Sequence, residues 1–233
     1  MIYTIIACEE KRDGRVFDGK IYTVENPMSL LPENIFDYIN NTKNGKTRQE
    51  RFLAYTSLFC SLKVFYGTNN FSIEKTDKGK PYLKTKNTYQ KNEDHKIFIS
   101  ISHSDGISAV TLSDEGEVGV DIQSEIDEDK AARLSSRFMS EVTVKQTALH
   151  VDYYFCYVSE EKAILEKKEL FPIKNKKENF SEKWSYSESL MKLCGGGFSD
   201  LKKLKNICEN IETEMTKIYL EKNYYLATSI RKK

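Results

Sequence analysis

Residues 96–123, KIFISISHSDGISAVTLSDEGEVGVDIQ, constrain the fold more than any other stretch of this chain. KIFISIS (96–102) alternates apolar and polar side chains, the period of a strand with two different faces. ISAVTL (107–112) follows across HSDG as its expected hairpin partner. SDEGE (113–117) is a second turn and VGVDIQ (118–123) a third strand. A chain with this run must build a sheet, and its helices must then cover it.

The remaining segments fit that plan. Met1–Cys8 has the apolar run of a buried strand. In GKTRQERFLAYTSLFCSLK (45–63), Phe52, Thr56, Phe59 and Lys63 fall near one stripe, with Leu58 and Leu62 beside it. That spacing predicts an amphipathic helix with a basic N-terminal flank of Lys46, Arg48 and Arg51. DKGKPYL (77–83) is a turn entering an extended piece, and residues 128–138 are helical. Residues 140–183 are lysine-rich and weakly patterned, including KNKKENFSEK (174–183), and are expected to form a loop or insertion. ESLMKL is helical, and KIYLEKNYYLATSI (217–230) is a hairpin turning at EKN. Strands and a helix thus occur twice, joined near 113–117. The expected fold is α+β, with two similar lobes over residues 1–113 and 114–233.

Charge and cysteine content narrow the partners. Lys and Arg number 36 against 35 Asp and Glu, so a general nucleic-acid-coating role is not expected. The five cysteines are scattered and odd in number, the pattern of reduced thiols in a cytosol. The apolar start lacks a preceding basic region and meets charges at once, so it reads as a strand, not a signal peptide. No apolar run approaches a bilayer span. A cytoplasmic monomer without membrane or nucleic-acid partners is expected.

Four small constellations could carry chemistry. Each is ordinary alone. His103, flanked by Ser102 and Ser104, stands at a strand end, where a polar turn is the plain reading and phosphate contact the functional one. Asp121 interrupts an apolar strand, which is costly unless the carboxylate faces water, is paired or holds a metal. Gln123 lies on the same strand face, and oxygen donors of this kind suit Mg²⁺. Lys80 is a turn lysine beside Pro81. Glu188 and Lys192, in WSYSESLMK (184–192), have the spacing of a helical ion pair, which stabilises a helix by only about 0.2–0.5 kcal/mol.

Together and in order they carry more. Gly79-Lys80-Pro81, Ile101-Ser102-His103-Ser104, Val118-Gly119-Val120-Asp121, and Trp184 through Glu188 to Lys192 resemble the motifs of the 4′-phosphopantetheinyl transferases of the surfactin-synthetase type. The resemblance spans residues 45–198 and implies a pseudo-twofold fold with its active site in the cleft between the lobes. It implies transfer of the phosphopantetheine arm of coenzyme A to a serine of an apo acyl or peptidyl carrier protein, releasing 3′,5′-ADP. Mg²⁺, or Mn²⁺ in its place, would be held by Asp121, Gln123 and Glu188. Lys80 and His103, with Ser102 beside them, would bind CoA phosphates, and Arg48 and Arg51 would meet the 3′-phosphate. Lys192 would contact the pyrophosphate or take part in proton transfer, alongside Glu188. The lysines of 163–183 would form a patch for the acidic carrier. Trp184 would anchor its helix in the core, and the glycines at 195–197 would turn the chain away.

The chain departs from the family pattern twice. Ser187 stands where relatives carry a lysine, and Gln123 where many carry Glu. These departures leave room for a weakened relative that binds CoA or a carrier without transfer. A metal-dependent nucleotide hydrolase is a third reading, which explains the carboxylates but not the ordered motifs.

Overall fold

The computed structural model describes residues 1–9, 18–67, 71–75, 77, 80–85, 96–138, 143–147, 149–173, 179–196 and 210–232. In chain order the elements are β1 (Ile2–Glu9), β2 (Ile21–Glu25), a 3₁₀ turn (Pro27–Leu30), α1 (Glu33–Asn40), α2 (Gly45–Tyr66), β3 (Phe71–Lys75), β4 (Pro81–Thr85), β5 (Ile97–Ser104), β6 (Ile107–Ser113) and β7 (Gly116–Ser124). They continue with α3 (Glu128–Phe138), β8 (Asp152–Val158), β9 (Lys162–Lys168), α4 (Phe180–Cys194), β10 (Ile211–Leu220) and β11 (Lys222–Lys232). The fold is mixed α+β.

Two sheets result. The larger runs β2-β9-β8-β1-β6-β5-β4-β3, the smaller β10-β11-β7. Among the described residues only the β1–β8 pair is parallel. Alternation along each strand sorts the core into layers. Tyr3, Ile5 and Ala7 of β1, with Ile97 and Ile99 of β5, pack against Leu53, Leu58, Phe59 and Leu62 of α2. The opposite face of the large sheet, through Ile6, Ile107, Ala109, Tyr153 and Phe155, meets Val120, Ile122, Ile218 and Leu226 of the small one. On the far side of the small sheet, Met215 and Ala227 pack against Tyr186, Leu190 and Met191 of α4. The order is helix, sheet, sheet, helix.

The hairpin of β5 and β6 forms as expected, with Ser104 opposite Ile107. The third strand, β7, does not extend it. β1 already occupies the other edge of β6, with Ile6 opposite Ala109, so β7 crosses to the small sheet and pairs with β11. This leaves one edge of β7 without a neighbouring strand, and buried N–H groups there need acceptors. The serines of SISHS supply them. Val120, Ile122 and Ser124 donate their N–H groups to the hydroxyls of Ser100 (3.0 Å), Ser102 (3.3 Å) and Ser104 (3.1 Å). The polar half of the β5 alternation is therefore the joint between the two sheets.

Two other expectations are corrected. The stretch 140–183 is not an insertion through its length, because it contains β8 and β9, which lie in the same sheet as β1. DYYFCYV of β8 is buried on both faces, so it has no alternation to read, and the surrounding lysines dominate its sequence context. Lys167 pairs with Asp152 (2.6 Å) and Lys168 with Glu166 (2.8 Å), while residues 174–178 lie outside the described residues. Helix α2, moreover, is buried well beyond one stripe. Ser57, Phe59, Cys60 and Ser61 are all inaccessible, because the 3₁₀ turn and α1 (through Ile35 and Ile39) close over the side away from the sheet. Lys63, placed on the same stripe, is exposed.

Candidate active site

Helix α4 carries one half of the candidate site, and its placement rests on a glycine. A Cβ on Gly119 would lie 2.0 Å from the carbonyl oxygen of Ser189 and 2.7 Å from the nitrogen of Leu193. Only glycine lets β7 approach the helix backbone this closely. Ser185 strengthens the contact by donating to the carbonyls of Asp121 (3.0 Å) and Tyr225 (3.1 Å). Asn179 caps the helix start, accepting from the Glu182 N–H at 2.8 Å in a capping box. Gly195, at φ 65°, ends the helix in the left-handed conformation, so the expected turn does begin there; Gly197 lies outside the described residues. Trp184 does not sit in the core. It is half-buried and packs against Phe180 at 5.8 Å, near the helix start.

Asp121, Ser102, Glu188 and Lys192 come together at this joint. The Asp121 carboxylate is buried, and its Oδ1 accepts from Ser102 Oγ (2.8 Å) and from the Lys192 ammonium (2.8 Å). Lys192 thus reaches across to β7. Its recorded ion pair is with Asp121, whereas Glu188 feels it as a nearby charge. Asp121 Oδ2 is buried and has no hydrogen-bond partner. The Glu188 carboxyl is pushed above its ordinary range, chiefly by burial and then by the negative charge of Asp121, with Lys192 working against both.

An orphaned carboxylate oxygen beside a second carboxylate raised by its charge is the donor chemistry a hard divalent cation satisfies. Among the described residues no group of three or more His, Cys, Asp or Glu is placed to hold a metal, so any site here would be two carboxylates completed by neutral oxygens. Gln123 lies two residues along β7; its amide nitrogen donates to the Ser124 carbonyl (3.0 Å), and ligation would use its other end.

The phosphate-binding residues suggested by the sequence divide between two places. Lys80 donates to the carbonyl of Leu193 (2.9 Å), at the negative end of α4 and one residue from Lys192. Burial lowers its ammonium to about 8, with the Glu117 carboxylate opposing the shift. This fixes a pH dependence. A lysine depressed in the folded state costs stability below about pH 8, and the cost is relieved as pH rises toward its ordinary 10.5. The melting temperature of the wild type relative to Lys80→Met is therefore expected to rise between pH 8 and 10.5, and a flat difference would refute the assignment.

His103 is elsewhere. As neighbours on a strand, Ser102 and His103 point to opposite faces, and His103 faces α2, where its Nδ1 meets Glu50 Oε2 at 2.8 Å. Glu50 carried no signal in the sequence beyond being one charge in a basic flank. Arg51 stacks on Tyr38 (4.4 Å) and donates to Thr42 Oγ1 (2.8 Å), packing α1 on α2. Arg48 lines a groove of about 1030 Å³ with Glu9, Phe52, Glu160, Glu161 and Lys162. Three carboxylates against two cations make that groove a poor match for a polyanion. Ser187 is fully buried and donates to the Lys183 carbonyl (2.7 Å), so this position is packed into the protein. Gly79 lies outside the described residues.

Among the described residues no helix is long and apolar enough to cross a membrane. Comparison with protein-family models returns no match, and neither does comparison with curated protein sequences.

Proposed function

We propose that the protein is a Mg²⁺-dependent 4′-phosphopantetheinyl transferase that modifies a serine of an apo acyl or peptidyl carrier protein, with CoA as donor. The observation that carries this reading is the joint of β7, β5 and α4. There Asp121, with its orphaned Oδ2, meets Glu188 and Lys192 in the order and spacing of the family motifs. What supports the reading further is that these residues lie at the joint between two sheets, with α2 packed on the outer side of one and α4 on the outer side of the other.

In this reading Asp121 and Glu188, with Gln123 nearby, would hold Mg²⁺, which supplies charge neutralisation on the pyrophosphate when bound. The carrier serine oxygen attacks the β-phosphorus of CoA as its hydroxyl proton passes to a base, the role this reading gives to the Glu188 carboxylate. The bond from that phosphorus to the bridging oxygen breaks, and 3′,5′-ADP leaves with that oxygen. Lys192, held by Asp121 at 2.8 Å, is placed to contact the phosphates, and Lys80 lies at the same end of α4. His103 would meet an anionic group of CoA that passes over the end of β5, since it faces away from Ser102.

The test is direct. Incubation with CoA, Mg²⁺ and a panel of apo carrier proteins is expected to add the phosphopantetheine mass to the carrier serine, and chelation to stop it. CoA binding without transfer across the panel would indicate a binding module. Release of nucleotide from CoA without any carrier would indicate a hydrolase.

A further inference from the structure

Glu50 is a carboxylate only 5% exposed, on a helix flank otherwise rich in cations. Among the described residues its carboxylate hydrogen bonds go to the β5–β6 hairpin. Oε1 accepts from the Gly106 N–H (2.8 Å), Oε2 meets His103 Nδ1 (2.8 Å), and the Glu50 carbonyl accepts from Ser108 Oγ (2.6 Å). Gly106, at φ 89°, and Asp105, at φ 52°, form the tight turn that brings this N–H to the carboxylate. The His103 side chain is 39% exposed, so one side of its ring is gripped while the rest reaches solvent.

A carboxylate accepts hydrogen bonds and has no proton to give, so the nitrogen it faces must carry the hydrogen. With Nδ1–H committed inward, Nε2 is the nitrogen presented at the strand end, and the ring cannot turn without breaking a buried contact. We infer that Glu50 is a positioning residue that fixes the tautomer and orientation of His103, so that Nε2 faces the anionic group of the CoA substrate. The step to CoA rests on the function proposed above; the tautomer does not. When the ring is protonated, Glu50 balances its charge on one side and the ligand anion on the other. The hairpin turn and the anion-facing imidazole are thus set by one buried side chain.

Nitrogen-15 NMR of the full chain, labelled at its three histidines, reads the tautomer through ring couplings, with His103→Asn assigning the signal. The neutral ring of His103 is expected to carry its hydrogen on Nδ1. A hydrogen on Nε2 in the wild type overturns the inference, and this measurement needs no variant of Glu50 to fold. In Glu50→Ala the ring is expected to shift toward the Nε2–H form that imidazole favours in water; no shift overturns it.

CoA affinity provides the second arm. Glu50→Gln is expected to weaken CoA about tenfold, which is about 1.4 kcal/mol, with kcat at saturating CoA nearly unchanged. In a His103→Ala background the same substitution is expected to add less than about twofold. Equal losses in both backgrounds would mean that Glu50 acts only through the fold, and would overturn the positioning role. Wild-type protein that fails to bind CoA would instead refute the proposed function, while the NMR result would still decide what Glu50 does to His103.

Discussion

Asp121→Ala and Asp121→Asn are expected to lower carrier modification by about 10³-fold, the scale seen when a preorganised charged or polar group is removed from a reaction centre. Their effect on stability is expected to be small, and this is the less obvious half. Removing one partner of a buried ion pair ordinarily costs about 3–5 kcal/mol, because the other charge is stranded. Here Lys192 is not stranded. Its side chain keeps 29% exposure and has Glu188 one turn away on the same helix. Asp121 also brings two liabilities to the fold, a buried oxygen without a partner and a repulsion that raises Glu188. Against these stands the loss of two hydrogen bonds to Oδ1, from Ser102 and Lys192. The terms nearly cancel, so thermal unfolding of Asp121→Asn is expected within a few degrees of wild type while transfer collapses. Retained transfer would remove Asp121 from the mechanism. Gross unfolding would make it a structural residue.

Gly119→Ala is expected to give a large loss of stability. The new carbon would meet backbone atoms of α4 at 2.0 and 2.7 Å and Leu193 Cβ at 2.9 Å, and no flexible side chain can yield. Helix and strand must separate, breaking the Ser185 and Ser189 hydrogen bonds to the small sheet. Overpacking of this kind costs about 3 kcal/mol or more, a fall in melting temperature of roughly 6–12 °C for a chain of this size. Because the same separation draws Glu188 and Lys192 from Asp121, transfer should fall with it. Gly45→Ala is the control, since a Cβ there meets nothing within 4 Å. Similar melting temperatures for the two variants would show that α4 does not depend on Gly119.

Both expectations arise from residues that stand two apart in VGVDIQ, yet only one of them was legible as chemistry. Asp121 could be singled out because a carboxylate in an apolar strand demands a reason. Gly119 looked like part of a motif, and its physical role needed the helix in place. Serines 100, 102 and 104 were visible as the polar half of an alternation, but the usual reading of such a half is water. They face the open edge of β7 instead. Glu50 was hidden among lysines and arginines, since a charge near a helix start is normally solvated. Strand β8 was hidden for the opposite reason, because a strand buried on both faces has no period to find.

By itself the sequence determined the local elements with strong periodicity, namely the first strand, the long helix, the central hairpin, the later part of helix α4 and the final hairpin; the first turn of α4 falls in the stretch expected to be a loop. It also determined the inventory of side chains able to do chemistry, because periodicity and charge are properties of neighbours along the chain. Tertiary structure alone decided that β7 would leave its hairpin for β11, since β1 had taken the edge of β6. It decided too that Lys192 would pair with Asp121 on β7 and that His103 would meet Glu50 of α2. Those outcomes depend on which edges and faces remain open once the sheets have formed, and the spacing of residues along the chain does not encode that.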